Sequence, residues 1–253
     1  MQGLRRFEDR VVLITGAASG IGHATALRIA SEGGRVFCVD VQADAVEETA
    51  KQAGELGAEA VAAVCDVSDE EAVARTVAAC VDRFGRLDSL CHVAGILRFS
   101  HLHEMDTETW RRIQSINLDG TFFMCRAALP HLLESQGNIV NVSSVAAKAG
   151  LAYGAAYAAS KGGVLSFTKT LAVEYGKRGV RANSVCPGSI KTPMTRGGAG
   201  LPPDLDPELV KRQMALDKPR GPETVASLIA FLASDDAAHV NGEDILVDGG
   251  TLA

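Results

Sequence analysis

Short runs of apolar, often β-branched residues alternate along the chain with longer segments in which apolar and polar positions recur at helical spacing. Seven such runs predict strands at residues 11–15, 36–39, 60–65, 87–93, 138–142, 180–186 and 245–247. Most of them are continuously apolar, which is typical of a parallel sheet buried on both faces. The segments between them are long enough to form helices that cross over the sheet.

Two helix starts are marked by their own residues. Ser68-x-x-Glu71 has the form of a capping box, and Gly221-Pro222-Glu223 places proline at a first helical position. Strict alternation of strands and helices predicts an α/β fold. We expect a Rossmann-like doubly wound parallel sheet of about seven strands, with helices on both faces, in a single domain over residues 1–253.

One long stretch, residues 192–222, interrupts this alternation. It contains Gly197, Gly198 and Gly200, followed by Leu201-Pro202-Pro203. Irregular connections of this length inside a compact domain are usually functional or disordered, and we interpret this one as a lid over a substrate.

Composition narrows the class of protein. The net charge of -6 with 22% charged residues gives no reason to expect a nucleic-acid partner. Apolar runs stay shorter than the ~18 residues of a membrane span. Charged residues follow Arg5 and Arg6, which does not match the pattern of a signal peptide. We therefore expect a cytoplasmic protein. Six cysteines without a Cys-x-x-Cys pair predict buried, reduced thiols and neither a disulfide framework nor a metal site.

A glycine-rich loop at residues 15–22 comes directly after the first strand and opens a helix. Gly16, Gly20 and Gly22 would let the backbone approach a pyrophosphate, whose charge the helix N-terminus stabilises. A plain tight turn would use the same residues.

Asp40 ends the second predicted strand, where a carboxylate can bind both hydroxyls of the adenosine ribose and repel the 2′-phosphate of NADP. This position predicts NAD, although an aspartate that caps the next turn is the alternative. Asp66 and Val67 end the third strand and could meet the adenine, or Asp66 could cap a helix beside Ser68.

Tyr157 and Lys161 stand four residues apart, on one face of a predicted helix. A nearby cation favours phenolate, so Lys161 is expected to lower the pKa of Tyr157. Ser143 and Ser144 follow the fifth strand, at the edge where doubly wound sheets bind ligands, and a hydroxyl there could hold a substrate oxygen. A helix cap or turn is the alternative role for these serines.

Residues spread over five segments together resemble the main single-domain branch of the short-chain dehydrogenases/reductases. The matches are residues 15–22, Asp66, Asn117, Ser144 and the Tyr-x-x-x-Lys motif at 157–161. Pro187-Gly188 with Thr192 resembles the family's nicotinamide-side loop, and residues 241–250 resemble its C-terminal strand, a region used in tetramer packing. The resemblance covers nearly the whole chain and implies hydride transfer between a nicotinamide and an alcohol or ketone.

The resemblance also implies individual roles. Ser144 would polarise the substrate carbonyl, Tyr157 would move the proton, Lys161 would bind the nicotinamide ribose, and Asn117 would hold a water that links Lys161 to solvent. The cofactor site would comprise Gly16, Ser19, Gly20, Ile21, Gly22, Asp40, Asp66, Val67, Ala94, Gly95, Tyr157, Lys161, Pro187, Gly188, Ile190 and Thr192. The substrate would contact Ser144, Leu151, Tyr153, Tyr157 and Met194, and the assembly would be a homotetramer.

One motif departs from the family pattern. Where the family usually has Asn-Asn-Ala-Gly, this chain has His92-Val93-Ala94-Gly95. We expect a structural His92 in a buried strand rather than a catalytic base.

The leading hypothesis is an NAD-dependent dehydrogenase or reductase for a hydrophobic secondary alcohol or ketone. An alternative within the fold is a 3-oxoacyl-carrier-protein reductase, which generally prefers NADPH. The alternative from another class is a regulator that senses the dinucleotide without turnover.

Overall fold

Seven parallel strands form one sheet in the order β3-β2-β1-β4-β5-β6-β7. The computed structural model describes residues 4–195, 200–212, 214–216 and 218–253. The strands are β1 Val11–Thr15, β2 Arg35–Asp40, β3 Ala60–Val64, β4 Ser89–His92, β5 Asn138–Val142, β6 Arg181–Pro187 and β7 Asp244–Val247. The predicted doubly wound fold is confirmed, and every predicted strand is present with its ends shifted by two residues at most.

Helices cover both faces of this sheet. They are α1 Gly20–Ser31, α2 Ala43–Glu55, α3 Glu70–Phe84, α4 Thr107–Gln114, α5 Gly120–Ser135, α6 Ala155–Tyr175, α7 Pro207–Lys211 and α8 Pro222–Ala233. A single π-helical turn, Ser115–Asp119, joins α4 to α5. No helix in the described part of the chain combines the length and hydropathy that a membrane span requires.

Alternate residues of each strand enter two separate cores. Val12 and Ile14 of β1 pack on the side of Ile29 from α1 and Ile229 from α8. Their neighbour Leu13 packs on the opposite side, which α3, α5 and α6 cover. Because both faces are buried, the strands are continuously apolar, and this accounts for the runs seen in the sequence.

The start of α3 differs from the prediction. Asp69, not Ser68, caps the helix, since its carboxylate accepts a hydrogen bond from the Ala72 backbone N–H at 3.0 Å. Ser68 instead donates its hydroxyl to Asp66 at 2.6 Å. The predicted capping box is therefore wrong by one residue, because an adjacent aspartate is an equally good cap. The predicted start of α8 at Pro222 is confirmed.

Within its described residues, the long irregular stretch contains one short helix, α7, which the sequence did not predict. The stretch is closed at its base by a parallel bridge between Ile190 and Arg220. Gly200 has a φ of +78°, which suits glycine. Gly197 and Gly198 lie outside the described residues.

The order of the strands positions a ligand site. The chain runs outward from β1 through β2 to β3, and then returns to place β4 on the other side of β1. Loops at the carboxyl ends of β1 and β4 therefore diverge and leave a crevice between them, which is where open α/β sheets bind ligands.

Leu90 lies at the centre of the sheet and is fully buried, whereas Leu56, at the end of α2, is half exposed. We predict that Leu90→Ala lowers the free energy of unfolding by about 2–5 kcal/mol, because it leaves a cavity in a packed core. The matched change Leu56→Ala should cost less than about 1 kcal/mol. Urea denaturation of both variants measures the difference, and equal losses would contradict the assignment of the core.

Candidate active site

A cavity of about 1000 Å³ opens at the carboxyl edge of the sheet. Residues that follow each of the seven strands contribute to its lining. The predicted cofactor residues that line it are Gly16, Ser19, Gly20, Ile21, Gly22, Asp40, Asp66, Val67, Ala94, Gly95, Tyr157, Lys161, Pro187, Gly188, Ile190 and Thr192. The structure therefore brings together a set of residues that spans most of the chain.

The glycine loop is tightly packed between β1 and β4. Gly16 has a φ of +68°, and a Cβ on it would lie 2.9 Å from the Ala94 backbone nitrogen. A Cβ on Gly22 would lie 2.1 Å from the Gly16 carbonyl oxygen, so any side chain there would push the loop away from α1. Side chains are thus excluded where the backbone must turn and approach a ligand.

The N-terminus of α1 faces the cavity. Its cap residue Ser19 makes no side-chain capping bond among the described residues, and its first turn carries no acidic side chain. The backbone N–H groups and the positive end of the helix dipole are therefore available to a phosphate. This geometry fits a dinucleotide.

Asp40 is fixed beside the glycine loop. Its carboxylate accepts hydrogen bonds from the backbone N–H groups of Ala18 at 3.1 Å and Gln42 at 3.0 Å. Each oxygen uses one acceptor position in this way and keeps another. The carboxylate can therefore bind further hydroxyls without moving.

Asp66 lies at the same end of the cavity and bonds to a residue that the sequence analysis missed. Arg112 of α4 donates to Asp66 at 3.1 Å and to the Ser68 hydroxyl at 3.0 Å, and it also lines the cavity. Partial burial acts to raise the pKa of Asp66, but the hydrogen bonds from Ser68 and Arg112 outweigh burial and lower it. No local sequence signal distinguishes Arg112 from Arg111, since only the fold brings α4 to the end of β3.

Lys161 is almost fully buried and is attached to β5 at two points. Its Nζ donates to the Val142 carbonyl at 2.8 Å, and its own carbonyl accepts a hydrogen bond from the Ser143 hydroxyl at 2.8 Å. Burial lowers the pKa of Lys161 to about 8. Ser143 therefore has a structural role that fixes α6 against the sheet.

Asn117 lies behind Lys161 and is absent from the described residues that line the cavity. It sits in the π-helical turn, and its amide donates to the Ile96 carbonyl and the Ser160 hydroxyl, both at 3.0 Å. The side-chain oxygen Oδ1 of Asn117 accepts the Ile96 backbone N–H at 2.8 Å. A Cβ on Gly95 would lie 3.2 Å from both Asn117 Oδ1 and Lys161 Nζ, so glycine lets these two polar groups approach each other.

Tyr157 and Ser144 line the same cavity. Ser144 accepts the Ala146 backbone N–H at 3.1 Å, so it caps a short turn and also faces the phenol. Burial raises the pKa of Tyr157, and the hydrogen bond from Ser144 lowers it by less. The net decrease expected from Lys161 is not seen in the protein alone, where burial dominates the pKa of Tyr157. Lys161 Nζ lies 5.9 Å from the ring centre and is bonded to the Val142 carbonyl.

His92 is buried in β4 with its Nδ1 2.9 Å from the Thr15 hydroxyl oxygen. That oxygen already accepts the backbone N–H groups of Val93 and Ala94. The Thr15 hydroxyl must therefore donate its hydrogen to His92 Nδ1. The proton of the neutral imidazole then lies on Nε2. Burial, with the Lys161 charge acting in the same direction, lowers the pKa of His92 to about 3. These contacts support a structural role for a neutral His92.

The predicted substrate residues do not all reach the cavity. Leu151 and Met194 line it, together with Leu97, Phe99, Leu209 and Val210. Tyr153 is absent from the described lining residues, since its hydroxyl accepts the Asp206 backbone N–H at 2.8 Å and its ring packs against His101. The structure therefore does not bring Tyr153 to the wall of the cavity, because its hydroxyl is bonded at the start of α7.

A phosphate-binding glycine loop and an ionisable tyrosine and lysine share one cavity, and this combination defines a dinucleotide-dependent oxidoreductase. A sequence model of the family described as Enoyl-(Acyl carrier protein) reductase matches residues 16–251. Meso-2,3-butanediol dehydrogenase of Serratia marcescens is 41% identical over 248 residues, which cover 98% of this chain and 96% of the relative. A 3-oxoacyl-(acyl-carrier-protein) reductase of Thermotoga maritima is 39% identical over 98% of this chain and 99% of its own length.

Solved structures agree with these matches. The crystal structure of carveol dehydrogenase from Mycobacterium avium in complex with NAD is similar with a TM-score of 0.90 at 30% identity, covering 98% of this chain and 99% of that chain. The chain belongs to the short-chain dehydrogenase/reductase family. It is an oxidoreductase that transfers hydride between a nicotinamide dinucleotide and an alcohol or ketone.

The lowered pKa of Lys161 has a consequence for stability. An unfolded lysine titrates near about 10.4, whereas Lys161 in the folded chain has a pKa of about 8. Between about pH 8 and about pH 10 the unfolded chain therefore binds more protons, so this group makes the folded state more stable as the pH rises. We predict that the unfolding free energy of the wild type rises relative to Lys161→Met by up to about 1 kcal/mol per pH unit in this range.

Denaturant unfolding of both proteins at a series of pH values measures this slope. Lys177→Met, which removes an exposed lysine, is the matched control and should give a curve parallel to the wild type. Parallel curves for Lys161→Met as well would contradict the lowered pKa.

Proposed function

We propose that the protein is a dehydrogenase for hydrophobic secondary alcohols that works with NAD in preference to NADP. The observation that carries the proposal is that Ser144, Tyr157 and Lys161 line the same cavity as the glycine loop and Asp40. A nicotinamide bound there supplies the hydride acceptor for oxidation and the hydride donor for reduction.

The residues of the chain supply the proton chemistry. When an alcohol is oxidised, its carbinol hydrogen leaves as hydride and its hydroxyl proton passes to the Tyr157 phenolate. In the reverse direction the Tyr157 hydroxyl gives that proton to the carbonyl oxygen. Ser144 holds the same oxygen by a hydrogen bond, and the Lys161 ammonium stabilises negative charge nearby. Asn117 holds the turn behind Lys161 and, as we propose, a water that leads from Lys161 to solvent.

Asp40 supports the preference for NAD. Its carboxylate is held by two backbone N–H groups, so it cannot turn away from a ribose bound beside it. A 2′-phosphate there would meet a fixed negative charge.

The substrate end of the cavity supports an apolar substrate. The apolar side chains in its wall include those of Leu97, Phe99, Leu151, Met194, Leu209 and Val210. Apolar surface of this kind binds hydrocarbon, while Ser144 and Tyr157 supply the polar contacts to the reacting oxygen. A hydrophobic alcohol, including a cyclic one, suits this wall better than a polyol.

Two other functions receive less support. A relative that reduces 3-oxoacyl groups on a carrier protein shares the fold, but the fixed carboxylate of Asp40 opposes the NADPH that such reductases generally use. A regulator that only senses a dinucleotide has no need for Lys161 to be buried beside Tyr157 at an energetic cost.

Assembly and location are part of the same proposal. A patch on α5 and α6 exposes Phe122 and Val173, with Phe167 and Arg126 packed against the Phe122 ring, and a homotetramer could bury it. The strand β7 ends the sheet with Leu246 exposed, which offers a second contact surface. All six cysteines carry free, buried thiols, which fits a reducing cytoplasm.

The role of Tyr157 can be tested by removing its hydroxyl. We predict that Tyr157→Phe lowers kcat by at least about 1000-fold, because the proton has no other carrier. The affinity for NADH should change by less than about three-fold. NADH formation is measured on the most active alcohol from a panel of secondary alcohols and hydroxysteroids, with NADH binding followed by fluorescence. Turnover within about ten-fold of the wild type would contradict this role.

The role of Asp40 can be tested by cofactor binding alone. We predict that the wild type binds NADH at least about ten times more tightly than NADPH, and that Asp40→Asn reduces this ratio by removing the repelling charge. Asp44→Asn, which removes an exposed carboxylate in the first turn of α2, is the matched control and should leave the ratio unchanged. Equal affinities of the wild type for the two cofactors in a fluorescence titration would refute the assignment.

A further inference from the structure

Tyr153 has an uncommon backbone conformation for its residue type. Its φ is +62°, in the left-handed region where an aromatic side chain is unfavourable, and it is followed directly by Gly154. A Cβ on Gly154 would lie 2.4 Å from Leu151 Cδ2, so the loop is closed tightly around Leu151. Such strain persists only where surrounding contacts fix it, and it often marks a functional position.

Those contacts connect Tyr153 to two other segments. Its carbonyl accepts the Ser100 backbone N–H at 2.8 Å, which holds the segment that carries Phe99. Its hydroxyl accepts the Asp206 backbone N–H at 2.8 Å, at the cap of α7. Tyr153 is thus absent from the described lining of the cavity, but it contacts segments that form the cavity wall.

A second contact supports the same junction. His101 packs edge-on against the Tyr153 ring, with ring centres 5.0 Å apart at 85°. Its Nε2 lies 3.0 Å from the Asp204 carboxylate, which belongs to the same segment as Asp206. Residues 200–212 are therefore attached to the body of the protein at two neighbouring points, one through a tyrosine hydroxyl and one through an imidazole.

The segment attached in this way carries part of the substrate wall. Leu209 and Val210, which follow Asp206 in α7, both line the cavity. Leu151 and Phe99, on the two other segments joined at Tyr153, line it as well. One residue, through its backbone carbonyl and its side-chain hydroxyl, therefore connects the three segments that carry these parts of the wall.

We infer that Tyr153 is a positioning residue that, with His101, holds residues 200–212 against the pocket and thereby determines the affinity for the substrate. The part of this inference that concerns affinity rests on the proposed function. The attachment itself depends only on the contacts of Tyr153 and His101.

The first experiment measures the attachment without any substrate. Arg212 is exposed at the end of α7, and trypsin cuts after arginine. We expect Tyr153→Phe, which keeps the ring and removes the acceptor for the Asp206 N–H, to raise the cleavage rate at Arg212 by about three- to ten-fold, the effect of one lost hydrogen bond. Tyr175→Phe is the matched control, because Tyr175 lies at the far end of α6, and its rate should equal that of the wild type.

The second experiment measures catalysis in the same variants. With the most active alcohol of the panel, we expect Tyr153→Phe to raise KM by about three- to ten-fold while kcat and the Kd for NADH each stay within about two-fold. Asp204→Asn should change KM in the same direction. In the double variant the two changes should be less than additive, since both act on one segment.

The outcomes separate this inference from the proposed function. If no alcohol of the panel reduces NAD, the proposed function fails, while the cleavage rates still test the attachment. Cleavage at Arg212 within two-fold of the wild type in Tyr153→Phe would overturn the attachment. An unchanged KM, or a loss of NADH affinity equal to the rise in KM, would overturn the positioning role.

Discussion

The burial of one ammonium group determines the arrangement of the active site. Lys161 Nζ is bonded to the Val142 carbonyl at the end of β5, and the Lys161 backbone carbonyl accepts a hydrogen bond from Ser143. These bonds fix the register of α6 against the sheet and so place Tyr157, one turn earlier, in the cavity. Gly95 leaves the space in which Lys161 and Asn117 approach each other. An isolated buried charge is costly, and the site holds it because Val142 accepts from it.

This burial also sets the protonation of the two groups. It lowers the pKa of Lys161 to about 8 and raises that of Tyr157. The protein alone therefore holds Tyr157 as a neutral phenol, with an ammonium nearby that loses its proton readily. The phenolate needed to accept a proton must then be stabilised by positive charge that enters with an oxidised nicotinamide. The acidity of Tyr157 is, in this account, a property of the loaded site.

Local patterns in the sequence predicted much of this molecule. Doubly buried strands have a continuously apolar pattern. Gly22 is constrained by the Gly16 carbonyl within one βα unit, and Tyr157 and Lys161 are joined by a single helix. The roles of Arg112 and Tyr153 could not be predicted in the same way. Arg112 meets Asp66 and Tyr153 meets Asp206 only after distant segments have packed together. The cap of α3 was misassigned for a different reason, since Ser68 and Asp69 are adjacent residues with similar capping ability.

The central claim is that burial, not Lys161, controls the phenol until the cofactor binds. An ultraviolet titration of tyrosine ionisation, taken as the difference between the wild type and Tyr157→Phe, follows Tyr157 alone. We predict that in the protein alone Tyr157 ionises at a higher pH than a free tyrosine, because burial raises its pKa, and that saturation with NAD⁺ moves its ionisation to a lower pH. Ionisation near neutral pH without NAD⁺, or no shift on its addition, would contradict this account.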